Sequence, residues 1–314
     1  MNTNKLIQML RIARQYYEYH LDQKEIAAKE GISVSTVSRM IKKAFDSGYV
    51  KISIDYPFLS NEELSKELQK AYGIQKVFLT PVIVPEPNAI LTDTCKAAAA
   101  ALPSYIKSNS VIGTAWGNTM KALAACIKDI DAKDTKIVQL NGRCANFAMP
   151  SGADDMVETL VKRARGEGYI IPAPVVVDTA QTASMLKEDS AVKHALELAR
   201  NCDTAVFSVG PITEDSIMYR SGYLNDGVFE QLKKDGAVGD IASNYYNIEG
   251  QAADQELASR RIGINLEELK EIPLKFCVAS GKNKAASLHG ALKGGYIDVL
   301  YADEELGKEL FQFL

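Results

Sequence analysis

The sequence predicts an α/β protein in two parts: an N-terminal winged helix-turn-helix, then a Rossmann-like domain on a mostly parallel sheet. Three observations carry this expectation. Residues 22–47 read as two short helices joined by a glycine turn, and from Lys76 onward strand-like runs alternate with helical ones. Charge is also divided: residues 1–56 hold nine Lys/Arg against six Asp/Glu, a net of +3, while the remainder holds 27 against 34, a net of -7. A small basic end on an acidic body directs contact with a polyanion to one face.

Leu6, Met9, Leu10, Ala13, Tyr16 and Tyr17 share one helical stripe, so a first helix should pack on the pair that follows. Asp22 and Glu25 have the spacing of a capping box. Gly31 can supply a left-handed turn, Ile32 can fill the angle between helices, and Ser33 can cap the second helix. Val34, Val37, Met40, Ile41, Ala44 and Phe45 recur at helical spacing and should face the core. Ser35, Thr36, Ser38, Arg39, Lys42 and Lys43 then lie outside, and with Gln23 and Ser33 they form the surface expected to meet DNA. Hydroxyls in a first turn followed by cations suit a helix whose N-terminal end enters the major groove. A merely solvated helical hairpin would not need capping box, turn glycine, buried turn residue and basic second helix together. Gly48 should end the helix, and the alternating run from Val50 to Ile54 fits a wing.

Tyr56-Pro-Phe-Leu-Ser60 marks a domain boundary, giving 1–56 and 57–314, with Ser60 as N-cap of a helix ending near Gly73. Strand-to-helix alternation follows: Lys76–Thr80 with Ala89–Lys107, Ser110–Thr114 with Asn118–Ile130, and Lys136–Leu140 with Asp154–Arg165. Thr204–Val209 precedes Asp226–Lys234, Lys275–Ala279 precedes Asn283–Lys293, and Ile297–Tyr301 leads to a last helix from Glu304. Ligands of such sheets sit at the carboxyl ends of the strands, so the loops there are the ones to read.

Gly113-Thr-Ala-Trp-Gly117-Asn-Thr119 follows a strand and opens a helix, which fits either an anion cradle or a simple glycine-permitted turn. Asn141, Gly142 and Arg143 form the next such loop, able to bind hydroxyls or a phosphate, or only solvent. Gly210 and the Gly236–Asp240 stretch follow; Asp240 beside two glycines fits sugar hydroxyls or a turn aspartate equally. Lys284, or Lys282, would add a cation at a helix start, where it opposes the helix dipole and so invites an explanation. No GxGxxG or GxxxxGK[ST] spacing occurs, which argues against a dinucleotide or ATP cofactor. Five scattered cysteines without CxxC and three unclustered histidines give no disulfide framework, metal set or catalytic residues, and reduced buried thiols are expected. The anion loops therefore suggest recognition of a phosphorylated small molecule without turnover.

With these residues in view, the chain resembles the SorC family of bacterial transcriptional regulators, the SorC/DeoR type. The resemblance rests on Gln23-Lys-Glu-Ile-Ala27, Thr36-Val-Ser-Arg39, Gly48-Tyr-Val50, Ile112-Gly-Thr-Ala-Trp-Gly117, Gly236-Ala-Val-Gly-Asp240 and Gly281-Lys-Asn-Lys284. Ala291–Ile297 and Ala302-Asp-Glu304 complete it. It implies an effector domain similar in fold to sugar-phosphate isomerases, without catalysis, and dimers or tetramers on operator DNA. It also implies that the phosphate meets Gly113, Thr114, Gly117, Asn118 and Thr119, while Lys284 meets effector oxygens and Asp240 its hydroxyls. Some relatives that sense deoxyribose phosphate hold a Schiff-base lysine where Asn141 stands, and asparagine cannot do that chemistry. Noncovalent binding of another sugar or sugar-alcohol phosphate is the expectation. The rival is a sugar-phosphate isomerase or deaminase with an appended DNA-binding module, for which Asp240 is the inviting base. No run spans a bilayer and no signal-peptide core is seen, so the expected place is the cytosol, with no membrane partner.

Overall fold

The computed structural model describes residues 3–52, 60–144 and 153–314, the last segment by backbone alone at 153–155. Contacts divide the chain into two compact units, Met1–Pro57 and Phe58–Leu314. The boundary stretch Tyr56–Leu59 and the wing residues Ser53 and Ile54 lie outside the described residues.

The first unit holds α1 (Thr3–Tyr17), α2 (Gln23–Glu30) and α3 (Val34–Asp46). The Asp22 carboxylate accepts from the Lys24 and Glu25 amides while Glu25 reaches back to the Asp22 amide, so the capping box is formed. Gly31 stands at φ 66°, a left-handed conformation that glycine adopts without penalty, and the Ser33 hydroxyl caps α3 on the Thr36 amide. Ile12, Ile26, Val37, Ile41 and Ala44 are buried among the three helices, with Ile32 packed against them. Two residues expected in this core are not there: Val34 is 42% and Phe45 49% exposed. Both flank the narrow stripe of Val37, Ile41 and Ala44 that three-helix packing covers. Val50, Lys51 and Ile52 are in no strand. The Arg11 guanidinium forms two hydrogen bonds to the Glu30 carboxylate, at 2.7 and 2.6 Å, and Gln15 donates a third.

The second unit opens with α4 (Glu62–Tyr72), capped by Asn61 and not by Ser60. The Ser60 hydroxyl instead accepts the Leu79 amide, a tertiary contact that removes it from capping duty. Ten strands follow among the described residues: β1 (Lys76–Thr80), β2 (Val111–Thr114), β3 (Lys136–Gln139), β4 (Glu167–Tyr169), β5 (Thr204–Phe207), β6 (Gly210–Pro211), β7 (Ala237–Ile241), β8 (Asn244–Asn247), β9 (Leu274–Ala279) and β10 (Val299–Asp303). Seven form one sheet in the order β1-β10-β9-β5-β2-β3-β4, every pair parallel. From β2 the chain winds out through β3 to β4, then returns to place β5 on the other side of β2, so the switch point lies between β2 and β5.

The helices are α5 (Pro87–Ala101), α6 (Asn118–Cys126), α7 (Ala153–Ala164), α8 (Ala180–Glu188), α9 (Ser190–Arg200), α10 (Ile217–Arg220), α11 (Asp226–Lys234), α12 (Gln255–Arg260), α13 (Leu266–Glu271), α14 (Ala285–Lys293) and α15 (Glu304–Leu310). Apolar clusters bury both sheet faces: Phe207, Cys277 and Leu300 belong to one, Ile112, Ile137 and Val278 to the other. Alternate residues of continuous apolar strands supply them, as a sheet covered on both sides requires. α5 stops at Ala101, before a short 3-10 turn over Leu102–Tyr105, and α6 stops four residues before the expected Ile130.

The sequence reading missed the small antiparallel sheet β6-β7-β8. Its β7 contains the stretch expected to be a loop, so Asp240 is a strand residue, paired with Gly210. The fully buried Tyr246 donates its hydroxyl to the Ser287 carbonyl at 2.9 Å and ties this sheet to α14. No helix among the described residues is long and apolar enough to cross a membrane. Cys95, Cys202 and Cys277 are buried, while Cys126 and Cys144 are only half-buried.

The hydrogen bonds from Arg11, then from Gln15, hold the Glu30 carboxyl down to about 2, below its ordinary 4.5, against the opposing effect of burial. A depressed carboxylate contributes its stability above 4.5 and loses it as pH falls toward 2. Amide protection in α1 and α2, read by hydrogen exchange, should fall across that window, and Glu30→Gln should weaken protection at pH 7 and flatten the pH dependence.

Candidate functional site

The carboxyl ends of β2, β5, β9 and β10 open into a cleft of about 740 Å³. Its wall includes Gly117–Thr119 after β2, Ser208–Pro211 after β5, Ser280–Lys284 after β9, and the start of α5 at Pro87 and Asn88. A segment at Thr213–Met218 and the β7–β8 hairpin complete it.

Lys284 is the cation of this cleft. Its ammonium donates to the hydroxyls of Thr119 at 3.0 Å and Ser208 at 3.1 Å, so residues from three loops meet at one nitrogen. Burial pushes the lysine pKa down, while the Cys277 thiol and the Asp240 carboxylate oppose that shift. The buried Asp303 holds the loop in place: one carboxylate oxygen accepts the Gly281 amide at 2.7 Å, and the other caps α15 on the Leu306 amide at 2.9 Å.

Backbone donors point to the same place. Thirteen α-helices among the described residues have a characterised N-terminal cap, and in ten a side chain accepts a first-turn amide. The three without are α5, α6 and α14, whose cap positions are Glu86, Gly117 and Lys284. All three begin at this cleft. Of the three, α6 leaves its first amides open at the cleft, where with the dipole behind them they favour an anion. At α5, Pro87 has no N–H and the Glu86 carbonyl accepts the Ala89 amide; a 3-10 turn over Lys282–Lys284 leads into α14, its Lys282 carbonyl accepting the Ala285 amide.

Asp240 stands beside this donor cluster. Its Oδ2 accepts the Ser243 amide at 3.1 Å, and its Oδ1 lies so close over Gly210 that a Cβ there would collide with it. Gly210 is therefore a close-approach glycine, needed for space. Burial pushes the carboxyl up to about 6, while the Ser243 amide and Lys284 pull the other way. Asn141 is 1% exposed; its amide nitrogen donates to the Ser243 hydroxyl at 3.1 Å and its Oδ1 has no partner. Ser243 and Ala242, the two turn residues of the β7–β8 hairpin, hold φ of 64° and 49°. Non-glycine residues in that region store strain of order 1–2 kcal/mol each and persist where the surroundings over-determine them. Asn244 supplies that support, donating to the carbonyls of Ile241, Ala242 and Ile264.

The cleft thus gathers Gly117, Asn118, Thr119, Asn141, Gly210, Asp240 and Lys284. Four expected effector residues are not on its wall. Gly113 is packed where a Cβ would strike Leu140 and Cys202, and the buried Thr114 hydroxyl donates to the Ala115 carbonyl. Gly142 is closed in by the carbonyls of Ala173 and Pro174, and its own carbonyl accepts from Trp116 Nε1. Arg143 is carried off by backbone hydrogen bonds to Ala173 and Val175. Sequence reasoning gave no role to Ser208 or Asp303, though both lie in stretches it singled out, and it missed Ser243. Lys282, the alternative to Lys284, also lines the cleft, but its ammonium pairs with Glu305 at 3.3 Å.

In the first unit, Ser33, Ser35, Ser38, Arg39, Lys42 and Lys43 are exposed on or beside α3, and Gln23 and Thr36 are half-buried. The Ser33 hydroxyl meets those of Ser35 and Thr36 at 3.0 and 2.9 Å, and Arg39 donates to the Thr36 hydroxyl at 3.2 Å. The first turn of α3 is thereby an ordered polar surface with a cation laid along it.

Residues 56–312 match the family model described as "Putative sugar-binding domain". The chain is 29% identical to a deoxyribonucleoside regulator of Bacillus subtilis over 99% of each protein. It is 30% identical to the transcriptional regulator LsrR of Escherichia coli O9:H4, over 95% of this chain and 92% of that one. The structure of the full-length sorbitol operon regulator SorC from Klebsiella pneumoniae superposes with a TM-score of 0.76 at 22% identity, covering 99% of both chains, and so shares the fold.

The raised Asp240 carboxyl costs the unliganded protein stability, since the folded state holds its proton more tightly than the unfolded chain between pH 3.8 and about 6. Stability should therefore decline as pH rises through that window, with the whole penalty present above it. Asp240→Asn should raise unliganded stability at pH 7 by about 1–3 kcal/mol and remove the decline, as read by thermal unfolding from pH 4 to 8.

Proposed function

Because this chain belongs to the SorC family of sugar-binding transcriptional regulators, we propose that residues 1–56 bind operator DNA and that residues 57–314 bind a phosphorylated sugar or sugar alcohol and oligomerise. It is a regulator and not an enzyme, as its named relatives are. What it regulates, on this reading, is a set of carbohydrate-utilisation genes, and it does so in the cytoplasm.

The observation that carries the effector reading is the convergence of the open α6 start, the Thr119 and Ser208 hydroxyls and Lys284 on one cleft. A phosphate there would accept from the Asn118 and Thr119 amides and the Thr119 and Ser208 hydroxyls, and would face the lysine. Asp240 and Asn141 would take the hydroxyls of the remainder. Asn141 cannot form a Schiff base and the Lys284 nitrogen is engaged by the Thr119 and Ser208 hydroxyls, so the reading is of noncovalent binding. α3 would enter the major groove by its first turn, Arg39 and Ser38 toward base edges and Lys42 and Lys43 toward phosphates, with Gln23 and Ser33 at the backbone. Two copies would match half-sites about 34–36 Å apart or a multiple of that. The effector changes DNA affinity only by its differential affinity for the DNA-competent arrangement.

Arg39→Ala should leave the fold intact and weaken operator binding about tenfold to a hundredfold in a titration at fixed salt. Unchanged affinity would remove Arg39 from the interface. Lys284→Ala should retain operator binding and lose the response to a sugar phosphate; a normal response would remove the lysine from the effector site.

A further inference from the structure

The polarity of the cleft says more about its ligand than that it is an anion. The cluster of Lys284, Thr119, Ser208 and the open start of α6 is made of donors. On the β3 side the available groups are acceptors. The Asn141 amide nitrogen donates to the Ser243 hydroxyl at 3.1 Å, and that hydroxyl in turn has Met218 Sδ at 3.8 Å for its proton. Asn141, a residue of the cleft wall, has a buried Oδ1 with nothing to accept from, and Ser243 links its side chain to the Asp240 carboxylate. An orphaned acceptor of this kind is uncommon, because leaving it unmet destabilises the empty protein. The hairpin turn that carries Ser243 is held in a strained backbone conformation, so the pair is fixed in place.

Resting on the phosphosugar reading above, we infer that Asn141 Oδ1 selects effectors that present a hydroxyl donor at the end distant from the phosphate, so that polyol or aldose phosphates bind and phosphates ending in a carboxylate do not. A carboxylate there offers only acceptors, facing an acceptor and the Asp240 carboxylate. Its hydrogen-bonding loss and its charge act in the same direction.

The test uses the full chain and matched probes: pentitol and hexitol phosphates, the aldonate phosphates of the same carbon chains, and inorganic phosphate. Binding is read by thermal unfolding and calorimetry. At least one polyol phosphate should bind about tenfold to a hundredfold more tightly than its aldonate counterpart. Asn141→Leu should lose that preference while keeping the response to inorganic phosphate, and its unliganded melting temperature should not fall. Asn141→Asp, which keeps an acceptor in place, should still prefer the polyol. An aldonate phosphate that binds as well as its polyol, or a preference surviving in Asn141→Leu, would overturn the inference and leave the phosphate site standing. No response to any phosphate, inorganic phosphate included, would overturn the phosphosugar reading and the inference with it.

Discussion

A helix begins with backbone N–H groups that nothing inside the helix can accept, and most of this structure follows from where those groups find partners. Asp22, Ser33, Asn61, Asp189, Asn225, Asn265 and Asp303 each bring an oxygen to the amides of the helix they precede. Glu86, Gly117 and Lys284 do not. A parallel sheet points all its strands, and so the starts of the helices that follow them, to one edge. The open start of α6 at that edge adds to the charge of Lys284 and favours an anion without a cluster of basic residues. The body can then be acidic overall and still hold an anion, and its net negative charge keeps phosphates elsewhere from competing.

The charged groups of the cleft are in tension with their own burial. Lys284 and Asp240 are both pushed toward neutrality by loss of water, the first downward and the second up to about 6. Each also opposes the other's shift, since a cation and an anion in one low-dielectric space favour one another's charge. An anionic ligand at Lys284 would favour the charged form of the lysine, and hydroxyls at Asp240 would replace the solvation its carboxylate lost. Binding would thus relieve costs that the empty fold carries, which favours a preformed site whose occupancy strongly raises stability.

How much of this could be read from the residues depended on the range of the interactions. The capping box, Gly31 and Ser33 are local chemistry within a few positions, and they stand as the sequence predicts. Ser60 and Asn61 are equally good caps locally, and only the distant Leu79 amide decides between them. Six of the seven parallel strands were legible because burial on both faces makes them apolar runs; the edge strand β4, Glu167-Gly-Tyr169, is short and mostly exposed and gave no such signal. β7 was not legible, because Gly239 and Asp240 interrupt it and its turn, Ala242-Ser243, lacks the asparagine or glycine that usually marks a hairpin. The same non-local sheet carries Ser243 to Asn141, over 102 positions of sequence. Arg143 was misplaced for a related reason: the chain after β3 is captured by Ala173–Val175, a pairing with no local signal.

The groups of the cleft are held in set positions. The Asp240 carboxylate is fixed by the Ser243 amide on one oxygen and by its packing over Gly210 on the other. Lys284 is held by two hydroxyls, and its depressed basicity is offset by nearby acidic groups. The result is fixed hydrogen-bonding geometry, rigid enough to maintain a strained turn and an unpaired buried acceptor. That rigidity gives discrimination between ligands by the match of donors to acceptors. Discrimination is what a sensor must supply, because only a ligand that distinguishes two states of the protein can shift the balance between them.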